Sequence, residues 1–158
     1  MTKIILCAAL VLAMSTGCAQ KKTKPEDGGP NAAIGSSDLG NSDAGNAMGL
    51  ETVHFDYDSS LLSPGAKATL KKDAQILKDN PNVSIQVEGN CDARGGIQYN
   101  LALGQRRADS VEHYLADHGI AQSRLATLSY GKEKPIASGD TEEAYAKNRR
   151  ANLTITKK

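Results

Sequence analysis

The character of the chain changes at Leu50, and this change limits how much of it can fold. Residues 20–49 are rich in Gly, Asn, Ser, Asp and Pro and show no apolar periodicity. A segment of this composition cannot bury enough apolar surface to offset the entropy lost on ordering its backbone. We therefore predict a disordered tether over this stretch and one packed domain over residues 50–158, a length typical of a single domain.

The first 17 residues have the layout of a secretory signal peptide. Lys3 supplies a basic start, Ile4–Met14 form an apolar run of eleven residues, and small residues follow. A transmembrane anchor is the alternative interpretation, but spanning a bilayer takes about 20 apolar residues. The sequence therefore predicts export of the mature chain.

The stretch STGC, which ends at Cys18, resembles the lipobox of bacterial lipoproteins, although Ser15 replaces the usual leucine. In that motif the cysteine is acylated and becomes the new N-terminus. The resemblance implies that residues 18–49 form a lipidated N-terminus and tether, since several acyl chains hold a protein stably on a membrane. The residue after the cysteine is Ala19 and not aspartate. In this the chain resembles lipoproteins that are exported to the outer membrane. Cys91 is then the only free thiol of the mature chain, so no intrachain disulfide is expected.

Regular periodicity after Leu50 predicts the order strand, helix, strand, helix, strand, short helix, strand. Alternating patterns predict strands at 51–58, 83–88, 125–131 and 151–157. Helical spacing predicts helices from Pro64 to the DNP stop, from the turn after the second strand to Gly119, and over 142–150. This order favours an α/β (α+β) two-layer sandwich, in which two main helices and a short third helix pack on one sheet.

The balance of charge argues against a general nucleic-acid binder. The chain has 19 Lys plus Arg and 18 Asp plus Glu, which gives a formal charge of +1. Phosphate contacts need a clustered positive surplus. The pairs Arg106–Arg107 and Arg149–Arg150 leave phosphate binding as a weak alternative, whose affinity would fall steeply with salt.

The long second helix and the turn before it carry the candidate site. Asn100, Leu103, Arg107 and Tyr114 recur at helical spacing in a stripe beside the core stripe. The turn CDARGG follows the second strand, at the end of an α/β sheet where ligands tend to bind. Asp92 of this turn and Arg107 can thus face one hollow. Spacing alone more often indicates that an aspartate and an arginine at such positions form a structural ion pair or are solvated charges.

Five segments in order resemble successive motifs of the OmpA C-terminal-like family, and in particular its lipid-anchored members. They are VHFDYDSS, VEGNCDARG, YNLALGQRRADSV, SYGKEKP and AYAKNRRANL. The resemblance covers essentially all of residues 50–158. It implies a four-stranded mixed sheet and a domain that binds peptidoglycan noncovalently, without a cofactor, through the meso-diaminopimelate of a stem peptide. The family's aspartate and arginine match Asp92 and Arg107.

This assignment is chemically reasonable for a zwitterionic ligand. Diaminopimelate carries an ammonium and a carboxylate on one carbon. Asp92 can accept hydrogen bonds from the ammonium, and Arg107 can clamp the carboxylate with two parallel bonds. The resemblance further implies that the pocket is completed by Phe55, Asp56, Asn100 and Leu103 and is bordered by Arg150. Asn90 and Cys91 depart from the residues of many family members, and we expect the pocket to survive both changes.

The resemblance also implies partners beyond the cell wall. Lipid-anchored members join the Tol system and dock the periplasmic propeller protein TolB. We therefore expect a protein held in the outer membrane through lipid on Cys18, with its domain in the periplasm. The alternative function is a docking module whose main ligand is a TolB-like protein, and one face can serve both partners in turn.

The remaining class of function is catalysis. An enzyme of this sequence would use Cys91 with a histidine, or an acid pair such as Asp56 and Asp92. No oriented base or set of oxyanion donors can be identified, so we predict no catalysis. The chain's three histidines are not spaced as metal ligands on one helical face. They are His54, His113 and His118.

Overall fold

The computed structural model describes residues 39–158, in which strands and helices alternate. The strands are β1 (Val53–His54), β2 (Ser84–Asn90), β3 (Leu125–Gly131) and β4 (Arg150–Lys157). The helices are α1 (Pro64–Asp79), α2 (Ile97–Asp117) and α3 (Glu142–Asn148). The predicted signal peptide, the lipidation site Cys18 and most of the predicted tether lie outside the described residues. Over the described part of the chain, no helix is long and apolar enough to cross a membrane.

The strands form one sheet in the order β1-β4-β2-β3. The β2–β3 pair is parallel, whereas β1–β4 and β2–β4 are antiparallel. The predicted α/β sandwich with a mixed four-stranded sheet is therefore confirmed. Its strand order could not be derived from periodicity, because the chain places its last strand between the first and the second.

One apolar core joins the sheet to α1 and α2. Ser63 caps α1, its side chain accepting from the Ala66 N–H at 3.1 Å, and Pro64 occupies the first turn. Both helices then direct an apolar stripe toward the strands. The fully buried side chains include Leu70, Leu77, Val87, Val111, Leu115 and Leu153. The two helices thereby fix the carboxyl end of β2, from which the candidate site begins.

The first strand is shorter than predicted. It ends at His54, and the next N–H, that of Phe55, donates to the carbonyl of Arg149 at 2.9 Å. The chain then turns at Asp58, which has a left-handed φ of 51°. Tyr57 alternates with Val53 and Phe55 within the strand predicted over 51–58, and such alternation predicts one buried face, but Tyr57 is 62% exposed. It lies instead in a loop beside the candidate site.

Residues 39–49, here called the N-terminal strap, pack against the domain. The Ser42 N–H donates to the carbonyl of Leu153, and the Ile155 N–H donates to that of Gly40, both at 2.9 Å. Ala47, at 1% exposure, belongs to the core. The boundary predicted at Leu50 is thus placed too late. β1 pairs with only the first two residues of β4, so the strap supplies backbone partners to the part of β4 that β1 leaves unpaired.

Candidate functional site

A cavity of about 160 Å³ opens at the carboxyl end of β2. Asp92, Asn100, Leu103 and Arg107 of the predicted site all line it. The remaining lining residues are Tyr57, Asp58, Cys91, Arg94, Gly95 and Tyr99. Its walls are formed by the turn after β2 and the first three turns of α2, where the sequence motif lies, and by the loop that holds Tyr57 and Asp58.

The turn that carries Asp92 is held from two sides. The Asn100 side-chain amide donates to the carbonyl oxygens of Arg94 at 2.7 Å and Gly96 at 3.2 Å. The Lys132 ammonium donates to the carbonyl of Gly95 at 2.8 Å. Gly95 has a φ of 84°, a backbone conformation that favours glycine. Asn100 is therefore a positioning residue for the turn as well as part of the cavity wall.

The Asp92 carboxylate is 6% exposed and is paired with two arginines. Arg94 Nη2 lies 2.5 Å from Oδ2, and Arg149 Nη1 lies 3.4 Å from the same oxygen. Burial raises the pKa of this carboxyl, but the hydrogen bonds and charge of Arg94, with Arg149, outweigh burial and hold the pKa below its usual value. Asp92 is therefore a fixed anion in the wall of the cavity.

Arg107 is 1% exposed and joins three segments of chain. Its Nε donates to the carbonyl of Ser59 at 2.8 Å, Nη1 to that of Asn90 at 2.8 Å, and Nη2 to that of Asp56 at 3.1 Å. A guanidinium has five N–H groups, and these contacts use three of them. The other two, one on each Nη, leave the fork able to donate to a carboxylate at the base of the cavity.

Asp92 and Arg107 do not pair with each other among the described residues. Asp92 binds arginines from its own turn and from the residue before β4, whereas Arg107 binds backbone carbonyls. The structural ion pair weighed in the sequence analysis is thus not what the structure contains. The two charged groups instead lie in the wall of one cavity with opposite signs.

Phe55 and Asp56 lie beside this cavity and not in its lining. The Phe55 ring packs under the Arg107 guanidinium, with 5.2 Å from Cζ to the ring centroid, and Asp56 contributes only its carbonyl oxygen to Arg107. Both residues line a second, more open hollow of about 390 Å³. Its other lining residues are His54, Ser63, Ala146, Lys147 and Arg149.

The prediction that Arg150 borders the site is wrong, and its neighbour Arg149 takes that place. Arg149 donates to Asp92 at 3.4 Å and to the carbonyl of Phe55 at 3.1 Å. Arg150 begins β4 and points to the other face of the sheet, where Nε lies 2.8 Å from Asp43 Oδ2. Arg150 follows the alternation of β4, whereas Arg149 lies directly before that strand, at the end of α3, and its side chain reaches Asp92 from there.

Sequence reasoning missed Arg94, Tyr57 and Tyr99. The Arg94 guanidinium lies between the rings of Tyr57 and Tyr145, with its Cζ 4.1 and 4.2 Å from their centroids. The Tyr99 hydroxyl donates to the Asp58 carboxylate across the mouth of the cavity. The available signal was the position of Arg94 in the same turn as Asp92, and of Tyr99 one residue before Asn100.

Cys91 and Asn90 have structural surroundings. The Cys91 thiol, 3% exposed, donates to the carbonyl of Asn100 at 3.3 Å, and burial raises its pKa. A thiol in this state is a poor nucleophile. The Asn90 side chain donates to the carbonyl of Glu88 at 2.9 Å and not to the turn. In the described part of the chain no cluster of His, Cys, Asp and Glu is placed to hold a metal ion.

Comparison with known proteins identifies the family to which this fold belongs. Residues 54–149 match the model of the OmpA family. The fold resembles the crystal structure of the peptidoglycan-associated lipoprotein from Burkholderia pseudomallei, at 43% identity and a TM-score of 0.65, over 66% of this chain and 89% of that one. It also resembles the C-terminal domain of Helicobacter pylori MotB, at 25% identity and a TM-score of 0.65, over 70% of this chain and 87% of that one.

The fold and the site therefore define an OmpA-like domain with a small charged cavity at the carboxyl end of β2. Curated relatives that are similar over nearly the whole chain identify the group within this family. The peptidoglycan-associated lipoprotein of Brucella melitensis is 42% identical over 147 residues, which are 90% of this chain and 88% of that protein. That of Pseudomonas putida is 39% identical over 153 residues, or 92% of each. The chain belongs to the OmpA family and, within it, to the peptidoglycan-associated lipoproteins, so the prediction that it is not an enzyme is confirmed.

Proposed function

We propose that this chain binds peptidoglycan noncovalently and recognises the meso-diaminopimelate of the stem peptide in the cavity between Asp92 and Arg107. The observation that carries the proposal is one small cavity lined by a buried carboxylate and a buried guanidinium. The ligand's ammonium and carboxylate groups need such a pair of opposite charges. Charge-assisted and forked hydrogen bonds are also the strongest contacts available to both groups.

The same proposal extends to the place of the domain in the cell envelope. Acylation of Cys18 would hold the chain in the outer membrane, and the domain would then tie that membrane to the cell wall from the periplasm. A weak clamp is sufficient for this task, because many tethered copies near a polymer raise the effective concentration of both partners. The relatives named as lipoproteins support this arrangement.

Cosedimentation with purified diaminopimelate-type sacculi tests the function. The chain should pellet with the sacculi, whereas Asp92→Asn, which keeps the shape of the side chain but not its charge, should stay in solution. Asp109→Asn on α2 is the matched control and should pellet like the parent. Circular dichroism of each variant confirms folding. Equal pelleting of parent and Asp92→Asn would contradict the clamp.

A second candidate partner is a protein of the Tol system, such as a TolB-like propeller. The supporting observation is that two aromatic side chains in the lining of the cavity are also exposed to solvent. Tyr57 and Tyr99 are 62 and 49% exposed. Exposed apolar and aromatic groups around a polar pocket are typical of a protein docking surface. If this surface serves both partners in turn, a diaminopimelyl peptide should weaken TolB binding, and independent binding would contradict the alternation.

A further inference from the structure

Arg94 occupies the place that a ligand ammonium would need on Asp92. The Asp92 carboxylate receives four hydrogen bonds. Three come from Arg94, through its backbone N–H at 3.1 Å, Nε at 3.2 Å and Nη2 at 2.5 Å, and the fourth comes from Arg149 at 3.4 Å. Two carboxylate oxygens offer about four acceptor positions in total. An incoming ammonium must therefore replace one of these donors.

The Arg94 side chain is the donor that can leave. Its backbone N–H belongs to the turn that Asn100 and Lys132 hold in place. The Arg149 side chain is 8% exposed and also donates to the Phe55 carbonyl at 3.1 Å and to Glu142 at 2.6 Å. The Arg94 side chain is 34% exposed and lies at the rim of the cavity.

A second acceptor for Arg94 is already within reach. Its Nη1, the nitrogen that makes no hydrogen bond to Asp92, lies 3.6 Å from Glu142 Oε2. The rings of Tyr57 and Tyr145 enclose the guanidinium plane. Attraction between a cation and a ring face does not depend on which way the fork of the guanidinium points. The group can thus move from Asp92 toward Glu142 while it keeps both rings.

We propose that Arg94 is an internal counter-ion that competes with the ligand ammonium for Asp92, and that binding transfers the Arg94 guanidinium to Glu142 between Tyr57 and Tyr145. The inference rests on the proposed function, because it requires a ligand that carries an ammonium group. Arg94 is then a specificity-determining residue. A simple amine has to displace it without help, whereas a ligand whose carboxylate also binds Arg107 gains a second contact that favours the exchange.

Ligand affinity in matched variants tests the exchange. The full chain in detergent is titrated calorimetrically with a soluble peptide that contains meso-diaminopimelate. Arg94→Gln should bind this peptide severalfold more tightly than the parent, because the competitor for Asp92 is gone. Arg106→Gln removes the same charge from an exposed position on α2 and should bind like the parent.

A second peptide distinguishes competition between Arg94 and the ligand ammonium from a general effect of the substitution on the rim of the cavity. It carries 2-aminopimelate in place of diaminopimelate and so keeps the side-chain carboxylate without its ammonium. The gain of Arg94→Gln should be absent with this peptide. If the parent binds and Arg94→Gln binds no more tightly, the inference fails and the proposed function stands. If the parent does not bind the diaminopimelyl peptide, both fail.

A readout in the parent protein decides the question should Arg94→Gln not fold. The NMR resonance of the Arg94 Nε–H group reports its hydrogen bond to Asp92. It should shift on saturation with the diaminopimelyl peptide as the group leaves that carboxylate. An unchanged Arg94 resonance in a saturated protein would overturn the exchange.

Discussion

Gly89 of β2 and Gly104 of α2 meet backbone to backbone. A Cβ added to Gly89 would lie 1.8 Å from the Gly104 carbonyl oxygen, and one added to Gly104 would lie 2.8 Å from that of Gly89. Neither glycine has a left-handed φ, so close approach and not backbone conformation requires them. This contact sets the distance between the turn that carries Asp92 and the helix that carries Arg107.

Gly89→Ala should therefore destabilise the fold by roughly 3 kcal/mol or more, because the added methyl group meets backbone and cannot be relieved by a rotamer change. The free energy of unfolding from urea titration measures this. Gly65→Ala near the start of α1, where the nearest atom lies 3.8 Å from the added Cβ, is the control and should be neutral or slightly stabilising. Equal stability of Gly89→Ala and the parent would contradict the contact.

Asp73 should make stability depend on pH. It is fully buried, its Oδ1 accepts from the Glu51 N–H at 3.0 Å, and its Oδ2 has no partner among the described residues. Burial raises the pKa of its carboxyl from 3.8 to about 7. The folded chain therefore holds a proton that the unfolded chain has lost, so this group's contribution is present below about pH 4 and is lost as the pH rises toward 7.

Asp73→Asn should remove that dependence. The variant should be more stable than the parent at pH 8, by up to about 4 kcal/mol, and should lack the loss between pH 4 and 7. Urea midpoints at pH 5 and pH 8 measure it. Asp79→Asn at the exposed end of the same helix should follow the parent at both pH values. A parent whose stability is flat over this range would contradict a protonated Asp73.

The N-terminal strap should contribute to stability through Asp43. Its Oδ2 is 2.8 Å from Nε of Arg150, whose side chain is 1% exposed. Asp43→Ala leaves a buried guanidinium without its carboxylate, and such losses cost about 3–5 kcal/mol. Asp140→Ala, at an exposed position before α3, is the control for loss of one negative charge. An unfolding midpoint of Asp43→Ala equal to that of the control would mean that the strap does not hold Arg150.

Ligand binding should be insensitive to pH through the neutral range. Asp92 must be ionised to accept from an ammonium, and its pKa lies below the usual value because Arg94 and Arg149 outweigh the effect of burial. Affinity for a diaminopimelyl peptide should therefore stay constant from pH 8 to pH 5 and fall only when Asp92 takes up a proton below its usual pKa. Calorimetric titration at several pH values measures this. A loss of affinity centred near pH 6 would indicate that another group controls binding.

Periodicity predicted the helix faces well, because burial repeats with the helical turn. The stripe of Asn100, Leu103 and Arg107 was placed at the edge of the core, and all three side chains are buried there. The sequence pattern could not predict which of Arg149 and Arg150 borders the cavity. That choice depends on the residue at which β4 begins, and a shift by one residue moves a side chain to the other face.

The order of the strap and the contacts of Arg94 could not be predicted, because both depend on tertiary structure. The composition of residues 40–49 is typical of a disordered segment. In the folded chain, however, backbone groups of β4 form hydrogen bonds with Gly40 and Ser42. Arg94 resembles any exposed residue of a turn until Tyr57 and Tyr145 are brought to its two faces. The sequence pattern therefore predicted where the cavity lies. Which charged side chains line it depends on the folded chain.

The most direct test of the central claim is an NMR titration of backbone amides with two peptides that differ in one residue, meso-diaminopimelate or L-lysine. The lysine peptide keeps the ammonium but lacks the carboxylate that Arg107 would clamp. Only the diaminopimelyl peptide should shift the amides of Asp92, Gly95, Asn100 and Leu103 at saturation. Equal shifts with both peptides, or shifts confined to α1 and the strap, would contradict recognition of diaminopimelate between Asp92 and Arg107.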